Sequence, residues 1–191
     1  MGVFYQYIPH PKENETLKMS ETCHCPEEYP DWHEKDIDLC GTPAHILPTA
    51  AFFYMPLSYD LYLRNQQAEI DRLELQEKWP GFVISRAGFL RGQLIRLLNT
   101  ESSPSRRFVT LDANYVLHGY LHDGGIGTIK KSTRKLQNIL FDMGRMPKEL
   151  YLCYLTCPIC EEKKGGDKVL LLRRWVESKT LSKRIKSQGS S

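Results

Sequence analysis

The stretch that decides the fold is ELYLCYLTCPICEEKKGGDKVLLLRRWV, residues 149–176. Its two ends are apolar runs bounded by turn-forming residues, which is typical of β-strands. Between them Cys157 and Cys160 lie three positions apart, and Pro158 holds the turn, so both sulfurs can bind one metal ion. The stretch therefore predicts a strand, a metal knuckle, a charged turn and a second strand.

A metal ion at this knuckle needs two further ligands, because structural zinc is almost always bound by four sulfur or imidazole donors. Cys23-His24-Cys25 is a dense cluster of such donors, and Cys40 follows it in the same proline-rich segment. The pattern fits zinc, but it also fits an iron–sulfur cluster, a redox pair or unliganded cysteines. We expect zinc to join the segment to the knuckle through thiols drawn from Cys23, Cys25, Cys40, Cys157 and Cys160.

The length and the order of the elements predict a single compact α+β domain. A chain of 191 residues that is 41% hydrophobic can bury a substantial core. Six prolines before residue 51 predict that residues 1–50 are a loop-rich, acidic segment packed on the body. Residues 51–177 are expected to form the core, with a mixed or antiparallel sheet, two main helices and the C-terminal knuckle. Residues 178–191 are expected to be a flexible basic tail, and no internal repeat is apparent.

Apolar periodicity places the helices and most of the strands. Helices are expected at residues 56–78, capped by Ser58 or Asp60, and at residues 128–143, ended by Gly144. Strands are expected at residues 82–86, 107–111 and 115–121, in addition to the two within residues 149–176. Asp112-Ala113-Asn114 is predicted to be a hairpin turn between the strands at residues 107–111 and 115–121. Residues 93–98 fit either a strand or a helix.

A glycine-rich turn, Asp123-Gly124-Gly125-Ile126-Gly127-Thr128, stands between a predicted strand and a predicted helix. Backbone N–H groups in such a turn can approach a phosphate. Over residues 115–155 the chain resembles the pyrophosphate-binding turn of the GNAT acyltransferases, although His122 stands where that family prefers glutamine or arginine. The resemblance implies an acyl-CoA transferase that binds coenzyme A through Gly124, Gly125, Gly127 and Thr128.

Two groups of residues are candidates for acid–base chemistry. His118 and His122 lie four apart on a predicted strand, so they face the same side and could act as ligands or proton carriers. The run His33-Glu34-Lys35-Asp36 could hold a metal or act as acid and base. Because position 37 is isoleucine, the zincin motif H-E-x-x-H is absent. Both groups are also typical of ordinary histidines and of a solvated charge run.

The net charge of +3 hides a strong asymmetry along the chain. Residues 1–80 carry 6 basic and 14 acidic side chains, residues 81–151 carry 11 and 5, and residues 152–191 carry 9 and 4. This division fits an acidic segment packed on a basic body, or a basic surface for nucleic acid or another polyanion. Arginine suits phosphate contacts and aromatic rings stack on bases. The candidate contacts are Arg86, Arg91, Arg96, Arg106, Arg107, Lys130, Lys131, Arg134, Arg173 and Arg174.

The leading functional hypothesis is a zinc-binding domain whose basic surface binds nucleic acid or another polyanion. The alternatives are an acyl-CoA transferase built on the glycine turn and a protein-interaction module without catalytic activity. No triad or carboxylate pair identifies a reaction, so the sequence leaves open whether the chain is an enzyme. No run approaches the length of a membrane span, and residues 1–6 lack the features of a signal peptide. We therefore expect a cytoplasmic location.

Overall fold

A computed structural model describes residues 23–52, 55–56 and 58–188. The strands of this part pair antiparallel in one nine-stranded sheet, and three α-helices accompany it. The elements are β1 (Asp36–Asp38), β2 (Pro43–Phe52), β3 (Met55–Pro56), α1 (Tyr59–Arg72), β4 (Ile84–Ala87), β5 (Arg91–Leu97), β6 (Phe108–Thr110), β7 (Val116–Asp123), α2 (Ile129–Asp142), β8 (Arg145–Tyr154), β9 (Lys168–Glu177) and α3 (Lys179–Gln188). The predicted α+β class is confirmed, and the sheet is antiparallel.

The sheet closes on itself around the largest hydrophobic core. Its strand order is β1-β7-β9-β8-β4-β5-β2-β3, with β6 paired to β2. The segment β1–β2 runs antiparallel to β6–β7, since β1 pairs with β7 and β2 pairs with β6. Between these two ladders the backbone N–H of Leu39 donates to the carbonyl of Tyr115 at 3.1 Å. Residues from the whole sheet therefore meet in one interior, which includes Ile37, Ala44, Ile84, Ile95, Leu117, Tyr151 and Leu172.

The chain contains a structural repeat that the sequence pattern did not reveal. Apart from the two-residue β3, which precedes α1, the order strand, helix, strand, strand occurs twice, as β2–α1–β4–β5 and as β7–α2–β8–β9. Each helix has 14 residues, and its eighth and twelfth positions are buried: Gln66 and Ile70 in α1, Leu136 and Leu140 in α2. The expectation of no internal repeat is therefore corrected. The halves share burial positions and strand register while their side chains have diverged.

Residues 23–35 are held against the body by backbone contacts that only glycine permits. A Cβ on Gly119 would lie 2.0 Å from the carbonyl oxygen of Trp32, where the segment crosses β7. Gly81 has a φ of +76°, and a Cβ there would lie 2.9 Å from the carbonyl oxygen of His24. The ring of Trp32 packs edge-on against Trp79 and Phe82, with centroids 5.4 and 5.6 Å away. The segment is thus tied down through its backbone and through an aromatic cluster.

Two boundary predictions at the N-terminal side are corrected. Residues 1–50 are not all loop, because β1 and most of β2 lie within them; residues 1–22 lie outside the described part. Pro48 is tolerated in β2 because its missing N–H would point to the side of β6, beyond the end of that short strand. Helix α1 is shorter than the predicted 56–78. Ser58 occupies its N-cap position without a side-chain cap, and Glu74, with φ +52°, lies just beyond its end.

Further along the chain, the predicted hairpin at residues 112–114 is wrong. β6 pairs with β2, whereas β7 pairs with β1 and β9. The expected flexible tail is also corrected, because residues 179–188 form α3, whose start is fixed by a bond from the N–H of Ser178 to the carbonyl of Gly144 at 3.1 Å. The second helix, the strands β8 and β9 and the strand option for residues 93–98 are confirmed. None of the described helices is long and apolar enough to span a membrane.

Candidate metal centre and acid–base cluster

Four cysteines from the two ends of the chain converge on one point. Cys23 and Cys25 lie in the N-terminal segment, and Cys157 and Cys160 lie in the β8–β9 connection; all four sulfurs fall within 4.8 Å of one another. The Sγ atoms of Cys23 and Cys157 are 3.7 Å apart, and those of Cys157 and Cys160 are 3.9 Å apart. Tetrahedral coordination with Zn–S bonds of about 2.3 Å requires sulfurs about 3.8 Å apart. The cluster could therefore hold a metal ion.

Backbone N–H groups contact two of these thiols, and the surroundings shift the pKa values of the thiols in different directions. The backbone N–H of Cys157 points to the Sγ of Cys160 at 3.3 Å, and that of Cys25 to the Sγ of Cys23 at 3.5 Å. Burial, together with the neighbouring Cys157 and Cys160 thiols, raises the pKa of Cys25 far above its ordinary value. Burial opposes ionisation of Cys157 too, but the backbone N–H groups of Ile159 and Cys160, together with the Cys25 and Cys23 thiols, outweigh it and lower the pKa of Cys157. Several thiolates at this spacing repel one another unless a cation lies among them.

Cys40, the fifth predicted ligand, is not brought to this cluster. It lies exposed in the turn between β1 and β2, where its backbone N–H donates to Asp38 at 2.8 Å. His24, between two of the clustered cysteines, is exposed and does not belong to the group of four. The donor set that the fold assembles is therefore four thiols. Three of the four are exposed or half-buried, and Cys160 is buried.

A second group of polar residues lies on the outer face of the sheet, beside α2. Asp36 of β1 is paired in register with His118 of β7, and its Oδ1 lies 2.7 Å from the Nδ1 of His118. Arg145 donates to the same oxygen at 2.8 Å and stacks on Trp175, 3.7 Å from the ring centroid. Arg173 is paired in register with His118 across β7 and β9. We call Asp36, His118, Arg145, Arg173 and Trp175 the acid–base cluster.

The acid–base cluster carries both charge and unused hydrogen-bonding capacity. Burial opposes ionisation of Asp36, but the hydrogen bonds from His118 and Arg145 outweigh it and lower the pKa of this carboxyl. Desolvation lowers the pKa of Arg173, although the negative charge of Glu149 acts to raise it. Three of the four buried nitrogens that lack a hydrogen-bond partner among the described residues belong to this cluster: His118 Nε2, Arg173 Nε and Trp175 Nε1. Buried polar atoms are normally paired, so three in one cluster need an explanation.

At the equivalent place in the first half of the fold, protein groups satisfy the arginine. His45 and Arg96 are paired in register across β2 and β5, as His118 and Arg173 are across β7 and β9. Gln66 of α1 lies 3.2 Å from the Nδ1 of His45 and accepts from the Nε of Arg96 at 3.3 Å. Arg96 also forms an ion pair of 2.8 Å with Glu77. Gln66 and Glu77 thus satisfy Arg96, whereas the Nε2 of His45 is buried without a hydrogen-bond partner among the described residues and lies 3.5 Å from a carboxylate oxygen of Glu69.

Both ring nitrogens of the other predicted histidine, His122, have hydrogen-bond partners. Its Nδ1 lies 2.8 Å from the Ser132 hydroxyl, and its Nε2 lies 3.0 Å from the Thr128 hydroxyl. His122 therefore joins β7 to the start of α2. The four-residue spacing that grouped His122 with His118 does not distinguish a histidine with two partners from one whose Nε2 is unpartnered. Of the run at residues 33–36, only Asp36 reaches the acid–base cluster. Sequence reasoning missed Arg145 and Trp175, because their link to His118 depends on three strands.

The glycine turn is narrow and faces an acidic side chain. A Cβ on Gly125 would lie 2.7 Å from a carboxylate oxygen of Asp167, and the N–H of Gly124 donates to the Asp167 carbonyl at 2.7 Å. The cavity between the turn and the knuckle measures about 180 Å³, below the ~300 Å³ of a typical small-molecule site. β7 and β8 are separated by β9 in the sheet. These features disfavour a pyrophosphate at Gly124, Gly125, Gly127 and Thr128.

Much of the charge asymmetry is resolved within the fold. Acidic residues of the first 80 positions pair with basic residues of the next 71: Asp36 with Arg145, Glu69 with Arg107, and Glu77 with Arg96. Arg174 pairs with Glu149. Among the other predicted contacts, Arg86 and Arg173 are half-buried, whereas Arg91, Arg106, Lys130, Lys131 and Arg134 are exposed.

The chain was compared with known proteins. A family model described as "Bacterial hydrolase" matches residues 15–175. No curated protein matches this chain. The C-terminal domain of EcmrR, solved by crystallography, is 11% identical with a TM-score of 0.54, and the match covers 75% of this chain and 95% of that one. EcmrR in a cryo-EM structure of its DNA complex is 9% identical with a TM-score of 0.52, covering 75% of this chain and 56% of that one. Both likenesses concern the fold.

Proposed function

Because this chain belongs to the bacterial hydrolase family, we propose that it is a hydrolase whose fold is stabilised by a structural zinc ion. The zinc part is supported by the sulfur separations of 3.7 and 3.9 Å. Four thiolate ligands leave no open position on a tetrahedral ion, so the zinc binds neither water nor substrate. Reduced thiols of this kind fit a cytoplasmic location. The chemistry then belongs to side chains elsewhere.

Metal analysis tests the zinc part. Protein purified without added metal is expected to contain one zinc per chain. A Cys157→Ser/Cys160→Ser variant is expected to lose it, whereas Cys40→Ser keeps it because Cys40 lies outside the four-thiol cluster. If the protein contains iron and sulfide, the four thiols bind an iron–sulfur cluster and not zinc. If the wild-type protein contains no metal, the zinc part of the proposal is wrong.

The hydrolytic part rests on the Asp36–His118 pair. When the Nδ1–H of His118 donates to Asp36, its Nε2 carries a lone pair, as in a general base oriented by a carboxylate. The 2.7 Å contact and the unpartnered Nε2 are the observations that carry this assignment. His118 takes a proton from water while the water oxygen bonds to the electrophilic centre of the substrate. The bond to the leaving group breaks, and His118 returns the proton to that group.

The acid–base cluster reaches solvent at one edge. The side chain of Asp36 is 43% exposed and that of Arg145 is 20% exposed, whereas His118 is 2% exposed. A substrate therefore approaches from the side of Asp36 and Arg145. Shielding of His118 from bulk water strengthens the electrostatic interactions that the cluster makes with a bound substrate.

Hydrolysis of p-nitrophenyl acetate by purified protein tests the assignment. His118→Asn is expected to lower the rate by about 10²- to 10⁴-fold, the usual contribution of a general base. The matched control is His122→Asn, on the same strand and face, whose ring nitrogens are bonded to Ser132 and Thr128. Equal rates for wild type and His118→Asn would exclude His118 as the base. Equal losses in both variants would indicate a general effect on folding.

Polyanion binding is a second candidate, favoured by the surface of α2. Lys130, Lys131 and Arg134 are exposed there, and the helix carries no acidic residue before Asp142. The DNA in the EcmrR complex belongs to that protein, and 9% identity adds nothing to this candidate. Fluorescence anisotropy with a labelled DNA duplex tests it. Binding should weaken about tenfold or more between 50 and 200 mM salt and in a Lys130→Gln/Lys131→Gln variant; binding insensitive to both would exclude this surface.

A further inference from the structure

The two halves of the fold place a histidine and an arginine at equivalent positions but treat them differently. In the first half, Gln66 at the eighth position of α1 accepts from the Nε of Arg96. In the second half the eighth position of α2 is Leu136, which has no polar atom. The Nε of Arg173 is accordingly buried without an acceptor among the described residues. The second half therefore has the arginine without an equivalent internal acceptor.

A second donor lies in the same cluster. Trp175 follows Arg173 by two residues on β9, so both side chains leave the same face of the sheet. The indole Nε1–H of Trp175 is buried and also lacks an acceptor. Arg145 packs on the ring of Trp175 and reaches Asp36, which in turn holds His118. The two donors and the free Nε2 of His118 therefore belong to one connected group.

We infer that Arg173 and Trp175 bind an oxyanion, a carboxylate or phosphate group, carried by the substrate. The guanidinium contributes the charge and a planar set of donors, and the indole contributes a neutral donor. Arg173 is half-buried, but its Nε–H is buried without an acceptor, which is costly unless a ligand supplies one. Glu149, the nearest carboxylate to act on Arg173, is instead bonded to Arg174.

The register that pairs Arg173 with His118 on neighbouring strands places the proposed anchor next to the proposed base. Arg173 and Trp175 offer donors, whereas the Nε2 of His118 offers a lone pair when Nδ1 is protonated. An oxyanion bound by the donors would therefore place a nearby bond of the same molecule beside the base. Assignment of the substrate class rests on the proposed hydrolase function, whereas binding of the oxyanion can be measured without any reaction.

Indole ¹⁵N–¹H NMR spectra of the full chain measure the binding directly. The chain has three tryptophans, and a Trp175→Phe variant identifies the Trp175 signal while keeping an aromatic ring under Arg145. Inorganic phosphate and acetate are the two probes, with chloride at equal ionic strength as the reference. We expect the Trp175 signal to shift in a saturable way with at least one probe. A shift with phosphate but not with acetate would indicate a phosphate group on the substrate, and a shift with acetate but not with phosphate would indicate a carboxylate.

Arginine variants locate the anion. Arg173→Gln is expected to weaken binding at least about tenfold, and Arg173→Lys, which keeps the charge but lacks the Nε–H, is expected to be intermediate. The matched control is Arg174→Gln, because Arg174 is the next residue, leaves the opposite face and is paired with Glu149. A Trp175 signal that fails to move, or that moves equally in Arg173→Gln, would overturn the inference.

The outcome is separable from that of the proposed function. Loss of hydrolysis in His118→Asn without any anion effect at Trp175 would refute the oxyanion site and keep the acid–base pair. Saturable anion binding with unchanged hydrolysis in His118→Asn would keep the site and refute the catalytic role of His118.

Discussion

Loss of the metal should destabilise the chain by an amount that follows from the position of the four cysteines. Cys23 and Cys157 are 134 positions apart, so a zinc ion that binds both closes a very long loop. The chain-entropy relation for a cross-link of this length gives about 5 kcal/mol. For a domain of 150–250 residues, 1 kcal/mol corresponds to roughly 2–4 °C in Tm, so the expected loss is about 10–20 °C.

Calorimetry of the wild type with and without a chelator, and of Cys157→Ser/Cys160→Ser, measures this loss. Chelation uses the unaltered chain, so it remains informative if the double variant folds poorly. Hydrogen exchange should show which part opens first, since the N–H of Gly119 donates to the carbonyl of Lys35 at 3.0 Å and reports contact with the N-terminal segment. The control Cys40→Ser should melt like the wild type. A chelated protein within about 2 °C of the zinc-loaded one would refute the cross-link.

Three further outcomes are expected. Gly119→Ala should lower stability by at least ~1–3 kcal/mol in urea unfolding, because its Cβ would overlap the carbonyl of Trp32; unchanged stability would show that the crossing is not tight. The free energy of unfolding should fall as pH drops below about 6.5, because burial lowers the pKa of His45 in the folded chain and the unfolded chain therefore binds a proton first. It should fall further below about pH 4, where Asp36, whose pKa is lowered in the folded chain, becomes protonated. A constant free energy of unfolding from pH 7 to 4 would contradict this. Gln66→Leu, which copies the second half, should cost about 1–3 kcal/mol by leaving the Nε of Arg96 unpaired, and a neutral result would show that water replaces Gln66.

The sequence predicted those features that depend on neighbouring residues. Helix α2 and the strands β8 and β9 follow from local apolar periodicity, and the knuckle follows from two cysteines three positions apart. The pairing of Cys157 and Cys160 with Cys23 and Cys25 was expected because thiols are few and chelation needs four of them. Cys40 could not be separated from the others by spacing, since its distance from the cluster depends on the course of β1.

The acid–base cluster could not be predicted because its members are joined by strand register. Asp36 and His118 are 82 positions apart in the chain and become partners only when β1 pairs with β7. The repeat was equally hidden, because the halves share buried positions rather than residue types: Gln66 in one corresponds to Leu136 in the other. A comparison of helix positions after alignment of the two strand–helix–strand–strand units would have shown it.

The metal centre and the acid–base cluster are linked by the chain itself. The segment that supplies Cys23 and Cys25 leads, eleven residues later, into Asp36 of β1, and the connection that supplies Cys160 leads into β9, which carries Arg173 and Trp175. A metal ion bound by the four thiols would therefore limit the movement of β1 and β9, which both contribute to the cluster. In the second half no described protein group accepts from the Nε of Arg173, whereas in the first half Gln66 and Glu77 hold Arg96 directly. A metal ion held by the four thiols would therefore restrain the half in which Arg173 has no protein acceptor.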